Sequence, residues 1–267
     1  MHAHLIQLDI AWEDRPANRR RARAMIDRLV QKGVLHAGDL VVLPEMFDTG
    51  FSFDLAKTAD TDQGTFRFLI EEAQRRKVTL VGSRTVLGPE GKGRNRCTVA
   101  SPDGSIICEY DKVHPFSIGR EGEHFLGGSR VGFFDWVGAR DGGQESVRVC
   151  PTICYDLRFP ELFRAGLLGG AEVFTVIANW PQSRVGHRRS LSVARAIENQ
   201  AFVLCVNRAG SDPNLKYQGE SFVVGPKGDI LGELGHEEGV LTVDLDMGAL
   251  RQWRADFPAW KDIKLLG

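Results

Sequence analysis

The segment VRVCPTICYDLRFPELFRAGLLGGAEVFTVIANW, residues 147–180, sets the class of fold. VRVCPTIC (147–154) is an apolar run of strand length. FPELFRAGLL (159–168) has the apolar spacing of a helix with a proline at its start, and EVFTVIANW (172–180) is a second apolar run. Short apolar runs separated by amphipathic helices are strands covered by helices.

The alternation extends in both directions. HLIQLDI (4–10), DLVVLPE (39–45), VTLVGSRTV (78–86), FVLCVN (202–207) and GVLTVDLDM (239–247) read as strands. A helix is expected over 18–33 with Met25, Ile26, Leu29 and Val30 as its apolar stripe. A second is expected over 65–77 with Phe66, Leu69, Ile70 and Ala73 on one face, and a third over 187–200. CTVASPDGSIICEYDK (97–112) and SFVVGPKGDILGEL (221–234) carry Pro-Asp-Gly and Gly-Pro-Lys-Gly turns and read as hairpins. GPEGKGR (88–94) reads as a further hairpin tip. Hairpins among the crossovers exclude a purely parallel sheet, so the expectation is an α/β chain with two helix-covered mixed sheets packed together. With no linker or composition break, residues 1–267 read as one domain.

The composition, 42% hydrophobic and 26% charged, is that of a soluble globular protein. A formal net charge of -1, from 34 basic and 35 acidic residues, leaves no electrostatic footprint for nucleic acid or an anionic membrane. The arginine run in NRRRARAMIDRLVQKG is therefore read as a solvated helix face. Neither a signal peptide nor a membrane helix is expected. Five cysteines, mostly within or beside apolar runs, suit a reducing cytoplasm better than a disulfide framework.

A GxxxxGK[ST] phosphate loop and a G-x-S-x-G elbow are both absent from the sequence. Cys150 and Cys154 are separated by three residues, and no second pair complements them. His2 and His4 lack a further histidine cluster, so neither metal nor cofactor is expected. Three reactive residues do end three apolar runs: Glu45 ends DLVVLPE, Lys112 ends SIICEYDK and Cys154 ends VRVCPTIC. Chemistry in sheet-based folds gathers beyond strand ends. A thiol is nucleophilic as thiolate, a carboxylate can take its proton, and an ammonium with the backbone N–H after the cysteine can hold an oxyanion. The bland alternatives are a core cysteine, a loop-capping glutamate and a solvated lysine. Cys97, Cys108, Cys150 and Cys205 read as core.

LPEMFDTGF, YDKVHPF and CYDLRFPELFR, in this order, resemble the signature blocks of the carbon–nitrogen hydrolase (nitrilase) superfamily. ANWPQSR and ARAIENQAFVLCVNRAG resemble its following blocks, and RADFPAWKDI resembles the tail of one bacterial branch. The resemblance spans about residues 5–260. It implies a four-layer α-β-β-α sandwich that pairs as a homodimer. Residue by residue, it implies Glu45 as general base, Lys112 as oxyanion lysine and Cys154 as nucleophile. It further implies a glutamate in GREGEHFLGG, assigned to Glu123 by the aromatic two places on and the glycine five places on, with Glu121 as the alternative. Tyr155 supplies the oxyanion N–H, and Arg158 and Trp180 are candidates for the substrate pocket. Arg195 and Glu198, three apart on a helix, read as a brace.

Within the superfamily the motifs most resemble the omega-amidases, which hydrolyse the terminal amide of 2-oxoglutaramate and 2-oxosuccinamate. Other outcomes are an N-carbamoyl amino acid amidohydrolase and, in a different class, a non-catalytic scaffold or binding protein of this fold. The loop at Pro115, where relatives often carry leucine, bears on which substrate is taken.

Overall fold

Strand β1 (His2–Gln7) lies parallel to β2 (Leu40–Val42), which lies parallel to β3 (Thr79–Leu87). β4 (Gly93–Ala100) and β5 (Ile106–Asp111) then add antiparallel strands. The structure, a computed structural model, describes residues 1–140 and 143–265. A second sheet begins with β6 (Phe134–Arg140), antiparallel to β7 (Gly143–Ile153), which is followed in parallel by β8 (Val173–Ala178) and β9 (Phe202–Asn207). β10 (Ala209–Ser211) and β11 (Lys216–Gln218) form a separate ribbon. β12 (Phe222–Val224) and β13 (Ile230–Glu233) complete the second sheet, and β14 (Gly239–Asp244) returns to pair with β1. The spatial orders are β14-β1-β2-β3-β4-β5 and β6-β7-β8-β9-β12-β13. Both sheets read antiparallel, parallel, parallel, antiparallel, antiparallel, so the two sheets share one six-strand pattern, the first completed by β14 from the far end of the chain.

Strict alternation divides the core. Leu5, Val42, Val81 and Val99 of the first sheet face Trp136, Val149, Ile177 and Leu204 of the second. Their sequence neighbours Ile6, Val41, Leu43 and Leu80 face the opposite way, onto α1 (Arg15–Gln31) and α3 (Gly64–Arg76). A single turn, α2 (Leu55–Thr58), precedes α3, and another, α4 (Glu121–His124), lies between the sheets in sequence. Helices α5 (Pro160–Leu168) and α6 (Val185–Asn199) cover the second sheet. The result is the four-layer α-β-β-α sandwich. Helix α7 (Met247–Asp256) follows β14 and pins its end through buried Met247 and Leu250.

Two helix faces differ from the sequence expectation. On α1 the buried stripe is Ala22, Met25, Ile26 and Leu29, while Val30 is 49% exposed, since it sits a further 100° round from Leu29. On α3 the buried set is Thr65, Phe68, Leu69, Glu72 and Ala73, with Phe66 and Ile70 at its margins. Glu72 enters this apolar face because Arg23 of α1 reaches it at 2.7 Å and Arg76 also pairs with it. Arg15, just before the arginine run, likewise pairs with Asp60 at 2.5 Å, so together with Arg23 of the run it ties the first helix to its neighbours.

Candidate active site

Glu45 follows β2 once Pro44 has removed a ladder donor. Its side chain is fully buried, and four donors on three residues fix it. Asn95 Nδ2 of β4 donates to Oε1 at 2.7 Å, and Lys112 Nζ reaches the same oxygen at 3.1 Å. The Asn179 backbone N–H donates to Oε2 at 2.8 Å, while Asn179 Nδ2 donates to the Glu45 carbonyl at 2.7 Å. Asn179 follows β8, the strand of the second sheet equivalent to β2. The middle strands of the two halves thus meet at this carboxylate.

Lys112 follows β5, where its N–H bonds the Asn95 carbonyl at 2.9 Å and its carbonyl accepts from Gly128 N–H at 2.8 Å. Gly128 is required there: a Cβ would stand 2.3 Å from the Asp111 carbonyl oxygen. This close approach folds the 113–127 loop back, and Glu121 meets the ammonium at 2.9 and 3.1 Å. Burial alone would depress the lysine's pKa, but the Glu121 and Glu45 carboxylates outweigh it and hold Lys112 above its ordinary range. Burial pushes the Glu121 carboxyl up, with Lys112 opposing the shift.

Here the structure corrects one residue. Glu123 faces solvent and forms an ion pair with Arg120 at 2.6 Å; Glu121 is the glutamate against Lys112. The reason is helical phase. Arg120 takes a left-handed conformation (φ 63°) and starts α4 at Glu121, which turns inward. Two residues on, the helix has rotated about 200°, so Glu123 points away. Glu123→Gln is expected to leave turnover unchanged. Glu121→Gln should lower it about tenfold or more, through loss of a charge-assisted bond to Lys112. Ammonia release by the two variants compares them directly.

Cys154 ends β7 with a left-handed backbone (φ 45°), a conformation that costs a non-glycine residue energy and marks a constrained turn. The turn is a 3-10 segment, Cys154–Arg158, and α5 begins only at Pro160, so the elbow is one turn longer than a direct strand-to-helix step. Asp156 makes that turn. Its buried carboxylate accepts from Ile153 N–H at 3.0 Å and from His114 N–H at 3.0 Å. It also accepts from the Tyr110 hydroxyl at 2.7 Å. The cysteine elbow and the lysine loop are therefore stapled by one side chain. Arg195 holds the Leu157 carbonyl at 3.0 Å and Glu198 at 2.9 Å, the bracing role expected of that pair. Burial raises the Cys154 thiol well above its ordinary pKa; the Glu45 charge, to which the thiol donates a hydrogen bond, raises it further, and Lys112 opposes them. Cys150 is wholly buried in the core, as are Cys97 and Cys205.

Glu45, Lys112 and Cys154 line one recess of about 430 Å³, its open mouth included. Tyr155, Arg158 and Trp180 line it too, as do Phe51 and Phe116. Arg184, which the sequence reading gave no role, is also on its wall. The Arg158 guanidinium lies 5.0 Å from the Trp180 ring centre, with His187 Nδ1 at 3.4 Å; that of Arg184 lies 5.1 Å from the Phe116 ring centre. Among the described residues neither arginine has a carboxylate partner. Asn95, Asn179 and Asp156 were missed as well: Asn179 and Arg184 lie inside the quoted ANWPQSR block, whereas nothing in GRNRC marks Asn95.

The chemistry of this recess is that of a protonated thiol beside a buried carboxylate, with a cation held next to both. A family model for carbon–nitrogen hydrolases matches residues 3–255. The chain is 35% identical to the omega-amidase YafV of Escherichia coli strain K12, over 97% of this chain and 94% of that protein. It is 34% identical to a 2-oxoglutaramate amidase of Bacillus subtilis strain 168, over 97% and 96%. The crystal structure of XC1258 from Xanthomonas campestris, a CN-hydrolase superfamily protein with an arsenic adduct in its active site, superposes with a TM-score of 0.87. It shares 34% identity, over 100% of this chain and 99% of that one. The chain therefore belongs to the carbon–nitrogen hydrolase (nitrilase) superfamily, in its omega-amidase-like branch, and is a hydrolase of carbon–nitrogen bonds other than peptide bonds.

Proposed function

We propose that the protein is a cysteine-dependent amidase that releases ammonia from the terminal amide of a small dicarboxylic monoamide, of the 2-oxoglutaramate or 2-oxosuccinamate type. The observation that carries this reading is a single recess holding Cys154, Glu45 and Lys112 together with two guanidiniums, those of Arg158 and Arg184, that lack carboxylate partners among the described residues. A cationic wall in an otherwise aromatic recess suits a substrate with a carboxylate at the end remote from its amide. The similarity to omega-amidases supports the same substrate class.

The placement of these side chains supports the following reaction. The resting thiol is protonated, and Glu45 takes its proton as sulfur attacks the amide carbon. The oxyanion forms beside Lys112 Nζ and the Tyr155 N–H. The C–N bond breaks as the proton on Glu45 passes to nitrogen, ammonia leaves, and a thioester remains on Cys154. Water, losing a proton to Glu45, cleaves the thioester to give the acid, and the thiol recovers that proton. Glu121 keeps Lys112 charged and in place. Trp180 supports Arg158, its backbone N–H donating to Asn207 Oδ1 and its indole N–H to the Arg184 carbonyl. The enzyme works as a homodimer in a reducing cytoplasm, where its five free cysteines stay reduced.

The test is ammonia release from 2-oxoglutaramate, succinamate, glutamine, an N-carbamoyl amino acid and a nitrile. The oxo-amides should be the fastest. An N-carbamoyl amino acid, which also carries a carboxylate, would use the same arginines; preference for it would move the protein to that branch. No release from any of the five would leave the scaffold reading. Arg158→Met and Arg184→Met should each lower kcat/KM for the oxo-amide about 10- to 100-fold, the worth of a charge-assisted hydrogen bond. Turnover of a neutral aliphatic amide should change little, and equal losses on both substrates would remove the arginines from carboxylate recognition.

A further inference from the structure

The proposed amidase chemistry leaves unused a cluster at the other end of the first sheet. From sequence spacing, His2 and His4 had no further ligands near them; the fold corrects this by bringing the end of the α1–β2 loop, LHAGD (35–39), against the start of β1. His2, His36 and Asp39 each offer a ligand atom there, all within 4.8 Å of one another. His2 Nδ1 stands 3.7 Å from Asp39 Oδ1, and His36 Nδ1 stands 3.7 Å from Asp39 Oδ2. Two ligands of a tetrahedral zinc ion, each bonded at about 2.0–2.1 Å, lie about 3.4 Å apart. The two histidine–aspartate pairs end on the two different oxygens of the one carboxylate, and each is within a few tenths of an ångström of that spacing. The two imidazoles are half-exposed or more, at 47% and 60%, so they can turn to close the remainder.

The carboxylate, unlike the imidazoles, is held rigidly. Asp39 is buried; its Oδ2 accepts from the His36 backbone N–H at 2.7 Å and meets His4 Nε2 at 3.0 Å. His4 is itself fully buried, and its Nδ1 meets the Thr242 hydroxyl at 2.9 Å. A Thr242–His4–Asp39 chain thus orients one ligand from behind and leaves Oδ1 facing His2. Outer partners of this kind fix metal ligands in built sites.

We propose that His2, His36 and Asp39 form a binding site for one zinc-class divalent cation, clamping the start of β1 to the loop before β2. Two imidazoles and a carboxylate form a donor set for zinc, cobalt or nickel rather than magnesium or calcium. The site is structural: Asp39 and Glu45 are six residues apart along the β2 segment, about 20 Å by strand rise, so the ion is remote from Cys154.

The test uses the full chain without a tag, freed of metal with a chelator, in a Cys154→Ala background so that the elbow thiol cannot compete. Titration with zinc chloride by calorimetry should show one equivalent bound. His2→Gln and His36→Gln, both at exposed positions, should each weaken binding about tenfold or more, and the double variant should abolish it. Cobalt(II) should give visible d–d bands without a thiolate charge-transfer band. Separately, His2→Gln and His36→Gln in the chain that retains Cys154 should leave ammonia release unchanged. Zinc binding unaffected by the histidine variants, a thiolate band with cobalt, or no binding at all would each overturn the proposal. None of these outcomes bears on whether the thiol hydrolyses amides.

Discussion

Cys154→Ala is expected to abolish ammonia release while the protein stays folded. Removing a covalent nucleophile costs on the order of 10⁶ in turnover, because the other groups of the unit have nothing left to act on. The structural cost should be small. Cys154 is a half-buried residue on the wall of the recess, and alanine accepts the same backbone as cysteine, including the left-handed φ of 45°. Asp156, which makes the elbow through Ile153 N–H and His114 N–H, is untouched. Turnover and melting temperature should therefore separate in this variant. A thioester adduct trapped from the parent with substrate should be absent by mass spectrometry. Ammonia release at anything near the parental rate would end the cysteine mechanism, and a collapsed melting temperature would mean that the elbow depends on sulfur.

Lys112→Met is expected to damage both rate and stability, for separable reasons. Loss of an oxyanion donor alone lowers turnover by about 10²–10³. The variant also leaves Glu45 and Glu121, both fully buried, without the cation between them. Breaking a buried ion pair by removing one partner costs about 3–5 kcal/mol. In a protein of this size that corresponds to a fall in Tm of about 6–20 °C. The pH dependence identifies the cause. Glu121 has its carboxyl held above the usual range by burial, and in the variant the opposing lysine charge is gone, so its folded pKa rises further. A raised folded pKa favours the folded state when the group is protonated, and that contribution is lost as pH rises through it. The stability deficit against the parent should be widest at neutral pH and narrow as pH falls into the carboxylate range. A deficit independent of pH would point to lost packing of the lysine stem instead.

How much of this was legible in advance divides along a physical line. Strands and helices follow from local apolar periodicity, and the parallel runs 4–10, 39–45, 147–154 and 202–207 are apolar enough to mark buried strands from the chain alone. Glu45, Lys112 and Cys154 were legible because each directly ends or follows such a run, and strand ends are where a sheet presents its chemistry. The helix faces were read less well. Val30, Phe66 and Ile70 are apolar, but burial is decided by which arc of the helix meets the sheet, and that arc is a tertiary quantity.

The same distinction explains Glu121 and Glu123. Both are glutamates in one polar loop, and only the starting point of a four-residue helix, set by Arg120 and by the close approach at Gly128, turns one inward and the other out. Asn95, Asn179, Asp156 and Arg184 act through contacts between segments 42 to 134 residues apart, as with Asn179 on Glu45 and Asp156 on His114, which no local pattern encodes. His36 and Asp39 meet His2 for the same reason. The sequence by itself determined the class of fold and the three reactive residues, since both are written in short-range periodicity and its interruptions. The tertiary structure alone decided which glutamate faces the lysine, which guanidiniums face the recess and which histidines share an aspartate, because those depend on where loops turn and on which strands, distant in sequence, come to lie side by side.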